Sequence, residues 1–233
     1  MTVFGAIFAR GGSKGVPGKN LRVLGGISLV GRAVELGVAL PSIDRMLCST
    51  DSSQIAQEAE RFGAEVPFLR PDALAEDNSP EWAAWQHLAN FLLSMGATNS
   101  DLLVSLPATS PLRAPEDVNS ALAVFKSNDF DLVLGVSESS RSPWFNMVTR
   151  DPSGGVTVAF EAAQGGVSRR QDSPEIFDIT TVVYVTTLGF ISRASGMFGG
   201  RVGSAVIPVE RALDIDTELD LTIAGFLLKN ESN

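Results

Sequence analysis

Cysteine and histidine are almost missing from this chain, which carries one of each, Cys48 and His87, in 233 residues. A lone cysteine excludes an intrachain disulfide and a cysteine-cluster metal site. A lone histidine leaves little material for a histidine pair, a histidine-rich zinc site or a serine–histidine relay. Cys48 reads as a small buried strand residue, and His87 as a helix residue at or near the surface. No run approaches the ~18 uncharged apolar residues of a membrane span. The apolar start, Met1 to Phe8, is short and has no basic leader or cleavage site, so it reads as a buried first strand and a cytoplasmic location is expected.

Positive charge is in deficit overall, at a net −9, which disfavours nucleic acid and anionic membrane as partners. The distribution says more than the total. Met1 to Val34 contains no Asp or Glu, yet it holds Arg10, Lys14, Lys19, Arg22 and Arg32. A basic segment at the head of an acidic protein points to a local anion site. With 44% apolar and 19% charged residues the chain can bury a core, and its length suits one domain spanning 1–233 with room for a small insertion.

Strand and helix patterns alternate, the signature of a mostly parallel sheet covered on both faces. Strands are expected at 3–9, 45–49, 102–106, 131–137, 181–187 and 204–208. Helices are expected at 29–39, 54–62, from Pro80 to about 95, from Pro115 to about 126, and at 218–229. Ser52 and Thr217 read as helix caps. Between Glu138 and Asp178 the texture turns to Ser, Gly, Arg and Pro without helical periodicity, so 138–180 reads as a loop-and-hairpin insertion. Ligands of such sheets sit beyond the carboxyl ends of the strands, which places the loops after Ala9, Ser49, Leu106 and Ser137 around one crevice.

The loop Ala9-Arg10-Gly11-Gly12-Ser13-Lys14-Gly15-Val16-Pro17-Gly18-Lys19-Asn20 follows the first strand. Its glycines allow successive backbone N–H groups to form an anion-binding concavity, and Arg10, Lys14 and Lys19 add charge suited to a triphosphate. A P-loop is excluded by spacing, because Ser13 stands where its first glycine belongs and Asn20 follows Lys19. Glycines at 11, 12, 15 and 18 do not fit a dinucleotide fingerprint either.

Near the other end lies Asp214-Ile215-Asp216-Thr217. In extended backbone alternate side chains share a face, so Asp214 and Asp216 can stand together while Ile215 faces the core. Paired carboxylates repel and a hard cation relieves the repulsion. Mg²⁺ typically uses one or two carboxylates plus substrate phosphates. The plainer alternative is that Asp216 and Thr217 only cap the last helix. Ser49-Thr50-Asp51 either caps a helix or lines the crevice. Thr109, Ser110 and Arg113, after a buried strand, offer a polar pocket floor. Arg169 and Arg170 can pair bidentately with the carboxylate of an acidic sugar.

Together these stretches resemble the acylneuraminate cytidylyltransferases, the CMP-sialic acid synthetase family. The resemblance runs in order through Ala9–Asn20, Ser49-Thr50-Asp51, Phe68-Leu69-Arg70-Pro71, Thr109–Arg113, Arg170-Gln171 and Asp214–Leu221. It implies a three-layer α/β nucleotide-diphospho-sugar transferase fold of Rossmann-like type. It also implies a homodimer in which the 138–180 insertion exchanges contacts between subunits. CMP would pass from CTP to the anomeric hydroxyl of a sialic-acid-like acidic keto-sugar. Arg10, Gly11, Gly12, Ser13, Lys14, Lys19, Asn20 and Arg70 would bind CTP, with Arg70 near the cytosine. Asp214 and Asp216 would hold Mg²⁺. Thr109, Ser110, Arg113, Arg170 and Tyr184 would face the sugar, and Arg10, Lys19 and Asp216 would carry catalysis.

The departures from the family pattern are Pro107-Ala108 before Thr109, Asp178-Ile179-Thr180-Thr181 before the tyrosine-bearing strand, and Glu81 where a serine often stands. They leave legionaminic acid, a deaminated sialic acid or an eight-carbon ulosonic acid open as acceptors. Two rival readings are another sugar nucleotidyltransferase for an eight-carbon acid and a catalytically silent nucleotide-binding module.

Overall fold

In the computed structural model, which describes residues 1–12, 15–76, 78–160 and 174–231, apolar runs become strands buried on both sides. The central sheet has six strands: β1 (Val3–Phe8), β4 (Arg45–Ser49), β5 (Leu102–Ser105), β6 (Leu132–Glu138), β9 (Phe177–Thr187) and β10 (Val202–Val206). Their spatial order is β10-β6-β9-β5-β1-β4. β9 runs antiparallel to both neighbours, and the remaining pairs are parallel. Every residue of β5 is buried, as befits a central strand with helices above and below.

The pleat divides the core in two. Val3 and Ile7 of β1 face a cluster that includes Val30, Ala33 and Val34 of α1 (Leu29–Ala39), Ile55 and Ala59 of α2 (Ser53–Arg61), and Val118 and Ala121 of α4 (Pro115–Ser127). Phe4 and Ala6 face the second cluster, with Trp85, Leu88 and Leu92 of α3 (Glu81–Ser94) and Phe190 and Ile191 of α5 (Leu188–Arg193). Three layers result, as expected. The helices start where short polar side chains can take an unpaired N–H. Ser28 Oγ accepts from Gly31 N at 3.1 Å and Ser52 Oγ from Ile55 N at 3.4 Å.

Two short hairpins stand apart from the main sheet, β2–β3 (Val23–Leu24, Ile27–Ser28) and β7–β8 (Val148–Arg150, Val156–Val158). The second lies in the segment expected as an insertion, and its six strand residues are exposed. The segment is shorter than 138–180, because β9 begins at Phe177 and pairs with β6 as far as Glu138↔Phe177. Asp178 looks like a loop residue, but its pairing with Ser137 of β6 overrides its low strand propensity, and the strand runs on through Thr180 into the part expected from Thr181. The six-residue α5 also escaped the periodicity, being under two turns long. Ser13, Lys14, Arg169 and Arg170 lie outside the described residues.

Candidate active site

Beyond the carboxyl ends of β1 and β4 the glycine-rich loop is fastened at several points. Ala9 N donates to Ser49 O at 3.1 Å, and Gly11 N donates to Asp51 Oδ1 at 3.0 Å. Asn20, 8% exposed, donates its amide to Arg10 O at 2.9 Å. That bond lets Asn20 help hold the shape of the loop. Gly18 sits at φ +62°, where glycine is strain-free. A Cβ at Gly15 would run into the carbonyl oxygen of Asp216, so only glycine lets the loop press against the far end of the chain.

That contact is the centre of the site. Lys19 Nζ lies 3.0 Å from Asp216 Oδ1, joining segments 197 residues apart. Three residues on, Arg22 donates to both oxygens of Glu218, at 2.5 and 2.9 Å. Ile215 is fully buried and its N–H donates to Thr109 O at 2.9 Å. Ile215 thus turns inward, while Asp214 on one side of it is half-buried and Asp216 on the other is exposed.

Asp214 Oδ1 is buried and has no hydrogen-bond partner. An orphan carboxylate oxygen of this kind is costly unless a ligand completes it. Burial pushes the nearby Tyr184 phenol up to about 12, and the negative charges of Glu81 and Asp214 add to the shift. Glu81 and Asp214 therefore both bring negative charge near Tyr184. No group of three or more His, Cys, Asp or Glu side chains able to hold a metal occurs among the described residues. A cation on Asp214 and Asp216 would thus take its remaining ligands from substrate oxygens and water, as Mg²⁺ commonly does.

Two further devices hold the carboxylate segment, the first at the cap expected on Thr217 and the second absent from the sequence reading. Asp220, in the first turn of α6 (Glu218–Glu231), accepts from Asp216 N at 3.1 Å and Thr217 N at 2.7 Å, while Thr217 Oγ1 accepts from Asp220 N at 3.3 Å. This reciprocal cap is legible as Thr217-x-x-Asp220. The other is Asp117, 2% exposed on α4 and gripped by Arg211 through Nε at 2.9 Å and Nη2 at 2.8 Å. No local pattern pairs residues 94 positions apart.

Beside the loop lies a pocket of ≈ 260 Å³ lined by Phe8, Arg10, Arg70, Leu74, Ala75, Glu76, Ser79, Glu81 and Ala84. Arg70 is 6% exposed. Its backbone N–H donates to Thr50 O at 2.7 Å, its Nη2 lies 3.6 Å from Asp51 Oδ1, and its Nε has no partner. Burial weakens its hold on a proton and Asp51 counters that. Asp51 therefore both ties down Gly11 and balances Arg70.

On the other flank Ser110 Oγ and Thr181 Oγ1 share a hydrogen bond of 2.7 Å, with Thr109 Oγ1 at 3.5 Å from the same Thr181 hydroxyl. Tyr184 packs edge-on against Trp85 at 5.6 Å. Arg113 is drawn inward, contrary to its expected sugar contact. Its Nε donates to Val182 O and its Nη2 to Pro107 O at 2.6 Å, and the residue is 6% exposed. It ties the β5 loop to β9.

The basic run at the head of the chain is likewise only partly an anion site, since Arg22 serves Glu218 and Arg32 donates to Leu24 O at 2.8 Å. Cys48 is fully buried with its thiol pushed up to about 12 by desolvation, an unreactive state. Half-buried His87 sets its ring edge-on to Phe68 at 4.5 Å, and burial lowers its pKa.

A sequence profile of the family described as "Cytidylyltransferase" matches residues 5–188. The chain is 31% identical to CMP-N,N'-diacetyllegionaminic acid synthase of Campylobacter jejuni, over 97% of this chain and 95% of that protein. It is 29% identical to post-translational flagellin modification protein B of Campylobacter coli, over 97% and 94%. Among solved structures, CMP:2-keto-3-deoxy-manno-octonic acid synthetase complexed with CTP superposes at a TM-score of 0.73, with 14% identity over 99% of this chain and 100% of the other. A 4-diphosphocytidyl-2C-methyl-D-erythritol synthase superposes at 0.70, with 14% identity over 97% and 98%. At such identities these two likenesses speak for the fold alone.

Proposed function

Because the chain belongs to the cytidylyltransferase family, in its acylneuraminate branch, we propose that it transfers CMP from CTP to the anomeric hydroxyl of a sialic-acid-like ulosonic acid and releases pyrophosphate. The observation that carries the proposal is the meeting of Lys19 with Asp216, two residues along the chain from the orphan oxygen of Asp214. The cationic glycine loop thereby reaches the segment that carries both carboxylates. A silent nucleotide-binding module has no use for that arrangement.

CTP would lie with its phosphates along Arg10–Asn20 and its base in the pocket of Arg10 and Arg70. The acceptor would approach over Thr109, Ser110, Thr181 and Tyr184. The anomeric oxygen forms a bond to the α-phosphorus, the bond to the β-phosphate oxygen breaks, pyrophosphate leaves with that electron pair, and the hydroxyl proton passes to water. Catalysis then rests on alignment and charge neutralisation. Arg10 and Lys19 would neutralise charge growing on the α-phosphate and the leaving group. Asp214 and Asp216 suit Mg²⁺ by donor type and by the unsatisfied Asp214 oxygen. When bound, that ion supplies charge neutralisation and eases ionisation of the attacking hydroxyl.

Ser13 and Lys14 are proposed phosphate contacts and Arg170 a proposed carboxylate contact on sequence grounds alone. The exposed valines of the β7–β8 hairpin, Val148, Val156 and Val158, favour a homodimer formed through that arm. No helix among the described residues is long and apolar enough to cross a membrane. We place the reaction in the cytoplasm, where CTP is made.

The test is to incubate the protein with each nucleoside triphosphate, Mg²⁺ and a panel of eight- and nine-carbon ulosonic acids, measuring pyrophosphate. Release with CTP and a nine-carbon acid is expected, with legionaminic acid derivatives first on the panel because of the Campylobacter jejuni relative's name. Release with no pair would overturn the proposal.

A further inference from the structure

The pocket beside the glycine loop holds a carboxylate that the transfer chemistry leaves unused. We infer that Glu81 selects cytosine over uracil by accepting a hydrogen bond from the 4-amino group of the base, an inference that rests on CTP being the nucleotide.

Glu81 opens α3 and lines the same pocket as Arg10 and Arg70. Its Oε1 accepts from the Trp85 indole N–H at 3.1 Å. Trp85 is itself 1% exposed and stacked on Phe8 with ring centroids 5.5 Å apart. One carboxylate oxygen is therefore fixed by a buried ring while the other remains available to the pocket. Glu81 and Glu76 offset the charge of Arg10 and Arg70 in this lining, so the pocket lacks the net positive charge that a phosphate site uses. Phe8, Leu74, Ala75 and Ala84 offer apolar walls for the faces of a planar ring.

The edge of cytosine presents one donor, the 4-amino group, and then two acceptors, N3 and O2. Uracil presents an acceptor, O4, in place of the amine. A pocket with an anchored acceptor and a buried guanidinium whose Nε is unpartnered matches the first order and opposes the second. With uracil, O4 would face a carboxylate, two acceptors without a proton between them.

The experiment compares kcat/KM for CTP, UTP and the triphosphate of pyrimidin-2-one riboside, which lacks the amine, in the wild type, Glu81→Ala and Glu81→Gln. A hydrogen bond to a charged group is worth roughly ten- to a hundredfold in affinity. The wild type should prefer CTP to the pyrimidinone by at least about tenfold, and Glu81→Ala should treat the two alike, mainly through KM. In Glu81→Gln the amide oxygen can still serve Trp85, leaving an NH₂ toward the base. That variant should move the CTP/UTP ratio toward UTP by at least about tenfold and keep the wild-type melting temperature.

Ratios within about threefold of wild type in both variants would overturn the inference and assign Glu81 to balancing Arg10 and Arg70. So would a ratio that moves in Glu76→Gln and stays put in the Glu81 variants. Calorimetric Kd values for the three triphosphates give the same comparison without turnover. An enzyme that binds CTP selectively yet releases no pyrophosphate would sink the transfer reaction and leave the base reader standing.

Discussion

The proposed nucleotide side and the proposed acceptor side of this molecule are built on different principles. On the nucleotide side, segments from opposite ends of the chain are locked together by Lys19–Asp216, Arg22–Glu218 and the Gly15–Asp216 contact. On the acceptor side the polar groups are neutral hydroxyls of Thr109, Ser110 and Thr181, and beyond them the β7–β8 hairpin exposes its apolar residues. The lesson is that geometry serving a triphosphate must be held by the fold, because charge has to be in place before the reaction begins. Recognition of a variable sugar can be left to small hydroxyls and an added arm.

The sharpest way to break this contrast is to cut the nucleotide side where stability does not depend on it. The Lys19–Asp216 pair is solvent-facing on the aspartate side, 71% exposed, and exposed pairs contribute at most about 1 kcal/mol. Losing a preorganised electrostatic contact in a reaction costs on the order of 3 kcal/mol, about a hundredfold. Lys19→Ala and Asp216→Ala should each lower kcat by at least about a hundredfold with little change in melting temperature. Near-normal turnover in either variant would refute the assignment.

Arg113 should behave the opposite way. Arg113→Ala strands the carbonyls of Val182 and Pro107 and opens a buried space, a loss of about 2–4 kcal/mol by denaturant titration. The KM for the sugar should stay near wild type at temperatures where the variant is folded. A selective rise in that KM without loss of stability would return Arg113 to the sugar site.

For the arm, Val156→Asp should shift the protein from dimer to monomer in light scattering while leaving CTP affinity within a few-fold. A monomeric wild type would end the dimer proposal.

The smallest effect concerns Asp220. Hydrogen bonds from Thr217 hold its carboxyl below the ordinary value of 3.8. A carboxyl whose folded pKa is depressed stabilises the fold above its unfolded pKa, and the contribution disappears as pH falls through the folded one. Asp220→Asn should therefore cost about 1 kcal/mol near neutral pH, the usual size of a cap. The gap to wild type should close below about pH 4 in a series of melting curves. A gap independent of pH would mean that the cap works without charge.

The alternation of strand and helix, the caps at Ser52 and Thr217, and the two-sided burial of the strands were legible because they depend on neighbours a few residues away. The start of β9 was not, since Asp178 becomes strand only by pairing with Ser137, and Ile179 by pairing with Val136. At the site, the loop and the Asp214/Asp216 alternation could be read locally. The turning inward of Asn20 and Arg113 could not, because polarity along the chain does not say which way a long side chain points.

The order of residues alone determined the residue types at the candidate site: glycines for close backbone approach, cations proposed for phosphate, and two carboxylates one residue apart proposed for a hard cation. Tertiary structure decided which of those groups remain available. It committed Arg113, Arg22 and Arg32 to the scaffold, tied Asn20 to the Arg10 carbonyl, and brought Lys19 to Asp216. Desolvation and hydrogen-bond satisfaction act through three-dimensional neighbours, and these are set only once the sheet has closed its two cores.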